Sequence, residues 1–141
     1  MSASVAVPTN GPLRRCPDNP RYFADATGKA VYLTGSHVWQ SGKDMGATDP
    51  PPSFDYDGYL DLLQLHHHNF MRSWTWELAQ YSYDGQDTFT SPHPWLRTGS
   101  LPALDGKPQF DLSRFDAAYF DRLRQRIVSA GERGIYVSVM L

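Results

Sequence analysis

The chain has 141 residues, a formal net charge of −2 and 40% hydrophobic content. Its 13 basic against 15 acidic side chains give no electrostatic case for nucleic acid or an anionic membrane surface. No run approaches the ~20 apolar residues of a membrane span, and the single cysteine, Cys16, excludes an intrachain disulfide and reads as a passive thiol.

Residues 1–11 are small, polar and Pro-bearing, and read as a disordered leader. They lack the charged segment and long apolar core of a signal peptide, so the chain reads as soluble with its compartment open. Next, Arg21-Tyr22-Phe23 and Lys29-Ala30-Val31-Tyr32-Leu33 flank the turn cluster Asp25-Ala26-Thr27-Gly28, which predicts a β-hairpin. A first strand is expected over Val31–Ser36, followed by a Gly-, Asp- and Pro-rich loop ending at Pro50-Pro51-Pro52. Ser53 or Asp55 then caps a helix with Tyr56, Leu60, Leu63 and His67 on one face, and Tyr59, Leu62 and Leu65 beside it.

A second strand is expected over Asn69–Trp74. The segment 75–109 holds four prolines and no helical period, and a connection of that length is uncommon unless it is functional. A second helix follows, with Phe120, Leu123, Ile127 and Ala130 as its apolar stripe, Asp121, Arg122, Gln125 and Ser129 opposite, and Gly131 and Gly134 as helix-ending glycines. The third strand is Gly134–Leu141.

Strand, helix, strand, helix, strand is the rhythm of a parallel sheet with crossover helices. Three parallel strands do not close, and a (β/α)8 barrel takes about 250 residues. The expected fold is therefore α/β: the N-terminal portion of a (β/α)8 TIM barrel, with about three strands, preceded by a β-hairpin. Residues 12–141 would form that hairpin and the first β/α units, and the missing C-terminal barrel strands would be their partner.

In such a barrel, reactive groups come from the loops after the strands. That sorts the candidates. His37 and Trp39 follow the first strand, and Trp74, Trp76, Glu77 and Trp95 follow the second. The tryptophans, with Tyr81 and Tyr83, would form an aromatic mouth able to stack on the C–H faces of sugars, or simply to fill a concave loop region. His37 could bond a hydroxyl or a carboxylate, or be purely structural. Arg72 shares a strand face with Phe70 and Trp74, and would either hold strands in register or orient a catalytic carboxylate and keep it ionised. Glu77 is the one carboxylate directly after the second strand, and no second carboxylate is positioned to complete a glycosidase pair with it. His66-His67-His68 falls at a helix end on the opposite face, where adjacent histidines point apart, and reads as structural rather than metal-binding.

The order Asn19-Pro20-Arg21-Tyr22-Phe23, Gly28-Lys29-Ala30-Val31-Tyr32-Leu33-Thr34-Gly35-Ser36-His37-Val38-Trp39, Asn69-Phe70-Met71-Arg72-Ser73-Trp74 and Gly134-Ile135-Tyr136-Val137 resembles the opening of bacterial glycoside hydrolases with a clan A type barrel, cellulase-like or apiosidase-like. Pro92–Gly99 and Ala103–Pro108 are similar to the same subgroup. The resemblance implies hydrolysis of plant or microbial poly- or oligosaccharide. It implies Arg72 as support for the nucleophile, and His37, Trp39, Trp74, Trp76, Glu77 and Trp95 as candidates on the substrate side. It implies no cofactor and no metal. It also places the acid/base and nucleophile carboxylates beyond residue 141, so that this piece alone would be inactive. Two alternatives are a non-catalytic carbohydrate-binding barrel and, as the least favoured, a metal-dependent hydrolase using His37 and His93.

Overall fold

The structure, a computed structural model, describes residues 7–75 and 77–140. Three short strands, β1 (Arg14–Arg15), β2 (Phe23–Ala24) and β3 (Ala30–Val31), form an antiparallel sheet. The predicted hairpin is β2–β3. Its turn is closed by Asp25, whose carboxylate accepts from the Thr27 and Lys29 amides at 2.9 and 3.1 Å.

The expected barrel portion is not what the chain forms. Its described strands are mostly antiparallel and sit in several small sheets, with two helices. Parallel pairing is confined to β5 (Phe70–Trp74) and β10 (Tyr136–Met140), plus a single bridge between Gly35 and Phe70. The run Val31–Ser36 does not extend into a third parallel strand, for a local reason. Asn69 takes over its hydrogen bonding: the Thr34 amide donates to Asn69 Oδ1, and the Asn69 amide donates to the Thr34 carbonyl, both at 2.9 Å. Gly35 then passes so close to β5 that a Cβ there would collide with the Phe70 carbonyl. Of the third predicted run, Leu141 lies outside the described residues.

The segment 75–109, expected to be irregular, is largely antiparallel. Strands β4 (Asp44–Gly46), β6 (Gln80–Tyr83) and β7 (Gln86–Ser91) make one sheet in the order β4-β7-β6, and β8 (Trp95–Leu96) pairs with β9 (Asp111–Phe115). The β6–β7 turn is Asp84-Gly85, both residues at positive φ (52° and 75°), the backbone that a two-residue hairpin turn requires.

Helix α1 (Tyr56–Leu65) is capped by Asp55, whose carboxylate accepts from the Gly58 amide at 2.9 Å. It buries Tyr59, Leu60 and Leu63; Leu62 and Leu65 face outward. Helix α2 (Ala117–Glu132) is capped by Asp116 and followed by Gly134 at φ 77°. Tyr59, Leu60 and Leu63 join Met71, Ala130 and Ile135 in the core, against one face of β5 and β10. The alternation of β5 sends Met71 and Ser73 into that core. Phe70, Arg72 and Trp74 go to the other face, alongside their register partners Tyr136, Ser138 and Met140. Residues 1–6 of the leader lie outside the described residues, while the Thr9 amide donates to the Gly131 carbonyl at 2.8 Å. Among the described residues, no helix is long and apolar enough to cross a membrane.

Candidate functional site

The end of β5 gathers three of the sequence-predicted residues. The His37 imidazole lies parallel to the Trp74 indole, centroids 6.0 Å apart and planes 7° apart. Trp39 stacks on Trp74 as well, at 6.4 Å and 24°. Trp74 is half-buried, whereas Trp39 is 53% exposed. The close approach that builds this shelf runs through Gly42, where a Cβ would lie 2.8 Å from the Trp74 carbonyl oxygen.

Glu77 and Trp95 meet in a second feature, a cavity of about 350 Å³ lined also by Thr75, Pro94, Phe115, Tyr119, Phe120 and Leu123. Its walls are almost wholly apolar, and among the described residues Glu77 is the only carboxylate lining it. Trp95 is positioned by its pairing with Phe115 across β8 and β9, and the Asp116 amide donates to the Pro94 carbonyl at 2.8 Å.

Arg72 is not part of either feature. It is exposed on the open face of β5 beside Ser138, and pairs with no carboxylate among the described residues. Trp76 lies outside the described residues. Tyr81 bonds Met45 Sδ on β4 through its hydroxyl, and Tyr83 is exposed near the hairpin tip, so neither joins the Trp74 shelf.

Two further side chains form a part-buried polar pair: Lys43, which sequence reasoning did not place at a site, and His93, which it named only as a metal ligand in the least favoured alternative. Lys43 is 1% exposed, and its Nζ sits 3.0 Å from His93 Nδ1. His93 Nε2 in turn lies 2.9 Å from the Thr90 carbonyl oxygen. A carbonyl can only accept, so Nε2 carries the hydrogen, and Nδ1 accepts from the ammonium. Burial lowers the Lys43 pKa to about 8, against the opposing pull of Glu77. Burial, reinforced by the Lys43 charge, lowers His93 to about 4. His93 thus bonds the Lys43 ammonium, while His37 stacks on the Trp74 indole. Among the described residues, no group of three His, Cys, Asp or Glu side chains could hold a metal ion.

Around Lys43 the polar side chains are structural. Asp44 accepts from Arg122 Nη1 at 2.7 Å and from the Phe54 amide at 2.8 Å. Arg126 Nη1 donates to the Ser41 carbonyl at 2.7 Å, and the Arg126 guanidinium lies 4.9 Å from the Tyr56 ring centroid. Burial and the nearby Arg122 charge lower Arg126 to about 10. A third region, near Phe110, holds the Arg97–Asp105 ion pair at 2.5 Å, with Arg97 4.1 Å from the Phe110 ring centroid.

No family model matches the chain, and neither does any curated protein. Among solved structures, the chain is similar to a "putative glycoside hydrolase" from Bacteroides vulgatus ATCC 8482, with TM-score 0.61 and 19% identity over 85% of this chain. The chain spans 22% of that protein's length. At this identity the likeness is one of fold.

Proposed function

We propose that this chain is the carbohydrate-contacting part of a glycoside hydrolase acting on plant or microbial oligo- or polysaccharide. The observation that carries the reading is the shelf at the end of β5, where His37 and Trp39 both stack on Trp74 and Trp39 leaves more than half its surface open. A rigid, half-exposed indole matches the apolar C–H face of a sugar ring, and the neighbouring polar groups suit its hydroxyls. The likeness to the Bacteroides vulgatus protein supports the direction, and its 22% coverage supports a larger functional whole. In that whole, Arg72 would orient a carboxylate supplied by another segment packed on the open face of β5.

Glycoside hydrolysis uses two carboxyl groups flanking the bond, about 5–9.5 Å apart. The Glu77 cavity offers one. The isolated chain therefore binds without cleaving. The test is titration of the 141-residue chain with cello-, xylo- and arabino-oligosaccharides, followed by intrinsic tryptophan fluorescence, beside an aryl-glycoside turnover assay. Saturable quenching that Trp39→Ala removes supports the reading. Absence of any saturable response across the panel refutes it. A non-catalytic carbohydrate-binding protein is the second reading, favoured by the single carboxylate at Glu77. Hydrolysis by the full-length protein decides against it.

A further inference from the structure

The cavity holding Glu77 and Trp95 is walled by β8, β9 and α2 together with the segment after β5, and its two most distinctive side chains are tied to one part-buried contact. His93 is two residues from Trp95 along the chain. Its Nε2–H donates to the Thr90 carbonyl at 2.9 Å, and Thr90 is itself buried at 4% exposure. Thr90 fixes the other wall as well. Its amide donates to the Ala79 carbonyl at 2.9 Å, and its hydroxyl donates to the Leu78 carbonyl, immediately after Glu77. Lys43 approaches from the opposite side and donates into His93 Nδ1. One contact thus lies at the junction of the segments that carry Glu77 and Trp95.

We propose that Lys43 and His93 form a proton-linked positioning pair that sets the geometry of the Glu77–Trp95 cavity. The sense of the link follows from donors and acceptors. With His93 neutral, the ammonium and the Thr90 carbonyl occupy its two ring nitrogens. Adding a proton at Nδ1 leaves two cationic donors face to face at 3.0 Å with no acceptor between them, and one must withdraw. The charged groups acting on the pair are Glu77 on Lys43, and Lys43, Arg97 and Asp105 on His93. Glu77 and Asp105 favour the cations; Lys43 and Arg97 oppose protonation of His93, as does its burial. The link between pair and cavity needs no ligand. Its consequence for sugar affinity rests on the function proposed above.

The test is NMR of the chain labelled with nitrogen-15, following the His93 ring nitrogens and the Trp95 indole between pH 3.5 and 8. The expected result is the Nε2–H tautomer for neutral His93, a midpoint depressed to about 4, and a Trp95 shift with the same midpoint. In Lys43→Met, both midpoints rise together but stop short of the ordinary histidine value of about 6.5, because burial, the larger cause, remains. An Nδ1–H tautomer, an ordinary midpoint in the wild type, or a Trp95 signal that ignores His93 overturns the proposal. The wild-type measurement stands even if the variant does not fold. A parallel oligosaccharide titration at pH 7 separates the two ideas. Co-titration of His93 and Trp95 without sugar binding keeps the positioning pair and refutes the function. Sugar binding with an uncoupled Trp95 does the reverse.

Discussion

Arg122 Nη1 on α2 reaches Asp44 Oδ2 at the start of β4, 2.7 Å away across 78 residues of chain. Asp44 is buried, with 8% of its surface exposed, and also caps the Phe54 amide. Burial alone would raise its pKa. The Arg122 hydrogen bonds and the Phe54 amide, aided by the charges of Arg122 and Arg126, outweigh that and hold the carboxyl below its ordinary value. Asp44→Ala strips two half-buried arginines of their counter-charge and should cost about 3 kcal/mol. Urea denaturation at pH 7 checks this. Because the folded carboxyl titrates lower than the unfolded one, its contribution is complete above the unfolded value of 3.8 and is lost as pH falls through the folded value.

A different acid transition belongs to His93. Its folded pKa, about 4, lies below the ordinary histidine value of 6.5, so the unfolded chain binds the extra proton first. Its share of stability is complete above pH 6.5 and declines as pH falls from 6.5 toward 4. Allowing for the solvent that still reaches the ring, the loss is about 2 kcal/mol. Denaturation curves at pH 7.0 and 4.5 should show it in the wild type and show a flatter dependence in His93→Gln. An equal pH slope in both would remove His93 as the source.

Leu60 is fully buried between α1 and the β5–β10 pair. Leu60→Ala is expected to cost roughly 3 kcal/mol, as a lost side chain plus an incompletely collapsed cavity. Leu62→Ala, two residues on and 48% exposed, should change stability by less than about 1 kcal/mol. Thermal unfolding of the two variants side by side tests which face of α1 carries the core.

Two glycines should respond oppositely in scale to the same change. Gly85→Ala places a Cβ in open space and carries only the penalty of positive φ, about 1 kcal/mol. Gly35→Ala drives a Cβ into the Phe70 backbone and forces β5 to move, so it should cost more than twice as much. Similar melting temperatures for the two would show that the approach of Gly35 to β5 is not tight in solution.

Trp39→Ala should leave folding intact, since the ring is half-exposed, and weaken oligosaccharide binding by about 1 kcal/mol, roughly fivefold in Kd. Trp74→Ala should lose both binding and stability, because two rings rest on it. Isothermal titration paired with thermal melts separates these outcomes.

Local chemistry announced some of this structure and concealed the rest. Both helices could be read from apolar spacing, and the first also from its cap, where Asp55 and not Ser53 serves; the Asp116 cap of α2 was not singled out. The orientation of α2 could not. Phe120 and Ile127, expected inward, are 41% and 38% exposed, while Tyr119 is buried. Arg122, expected outward, grips Asp44, so an ion pair to a distant loop selects the helix face that hydropathy alone misassigns. The β6–β7 hairpin had a visible signal in Tyr83-Asp84-Gly85-Gln86. It was masked by the surrounding prolines and the length of the segment. The barrel expectation failed on a tertiary detail, the capture of the Thr34 amide by the Asn69 side chain. The shelf of His37, Trp39 and Trp74 was foreseeable from strand ends. Lys43 was not, because Ser41-Gly42-Lys43-Asp44 reads as a solvated loop, whereas in the fold Arg122 and Arg126 of α2 bond Asp44 and the Ser41 carbonyl, β7 pairs with β4, and Lys43 is 1% exposed.

The separation between Asp44 and Arg122 also bears on how the chain emerges from a ribosome. At about 5–20 residues per second, a separation of 78 residues takes roughly 4–16 seconds to synthesise. For that interval the Ser41–Asp44 segment lacks the α2 arginines that later bond it, and it stays open to solvent and to chaperones. The final seating of this region is therefore a late event, governed by arrival of the helix and not by the strands that precede it.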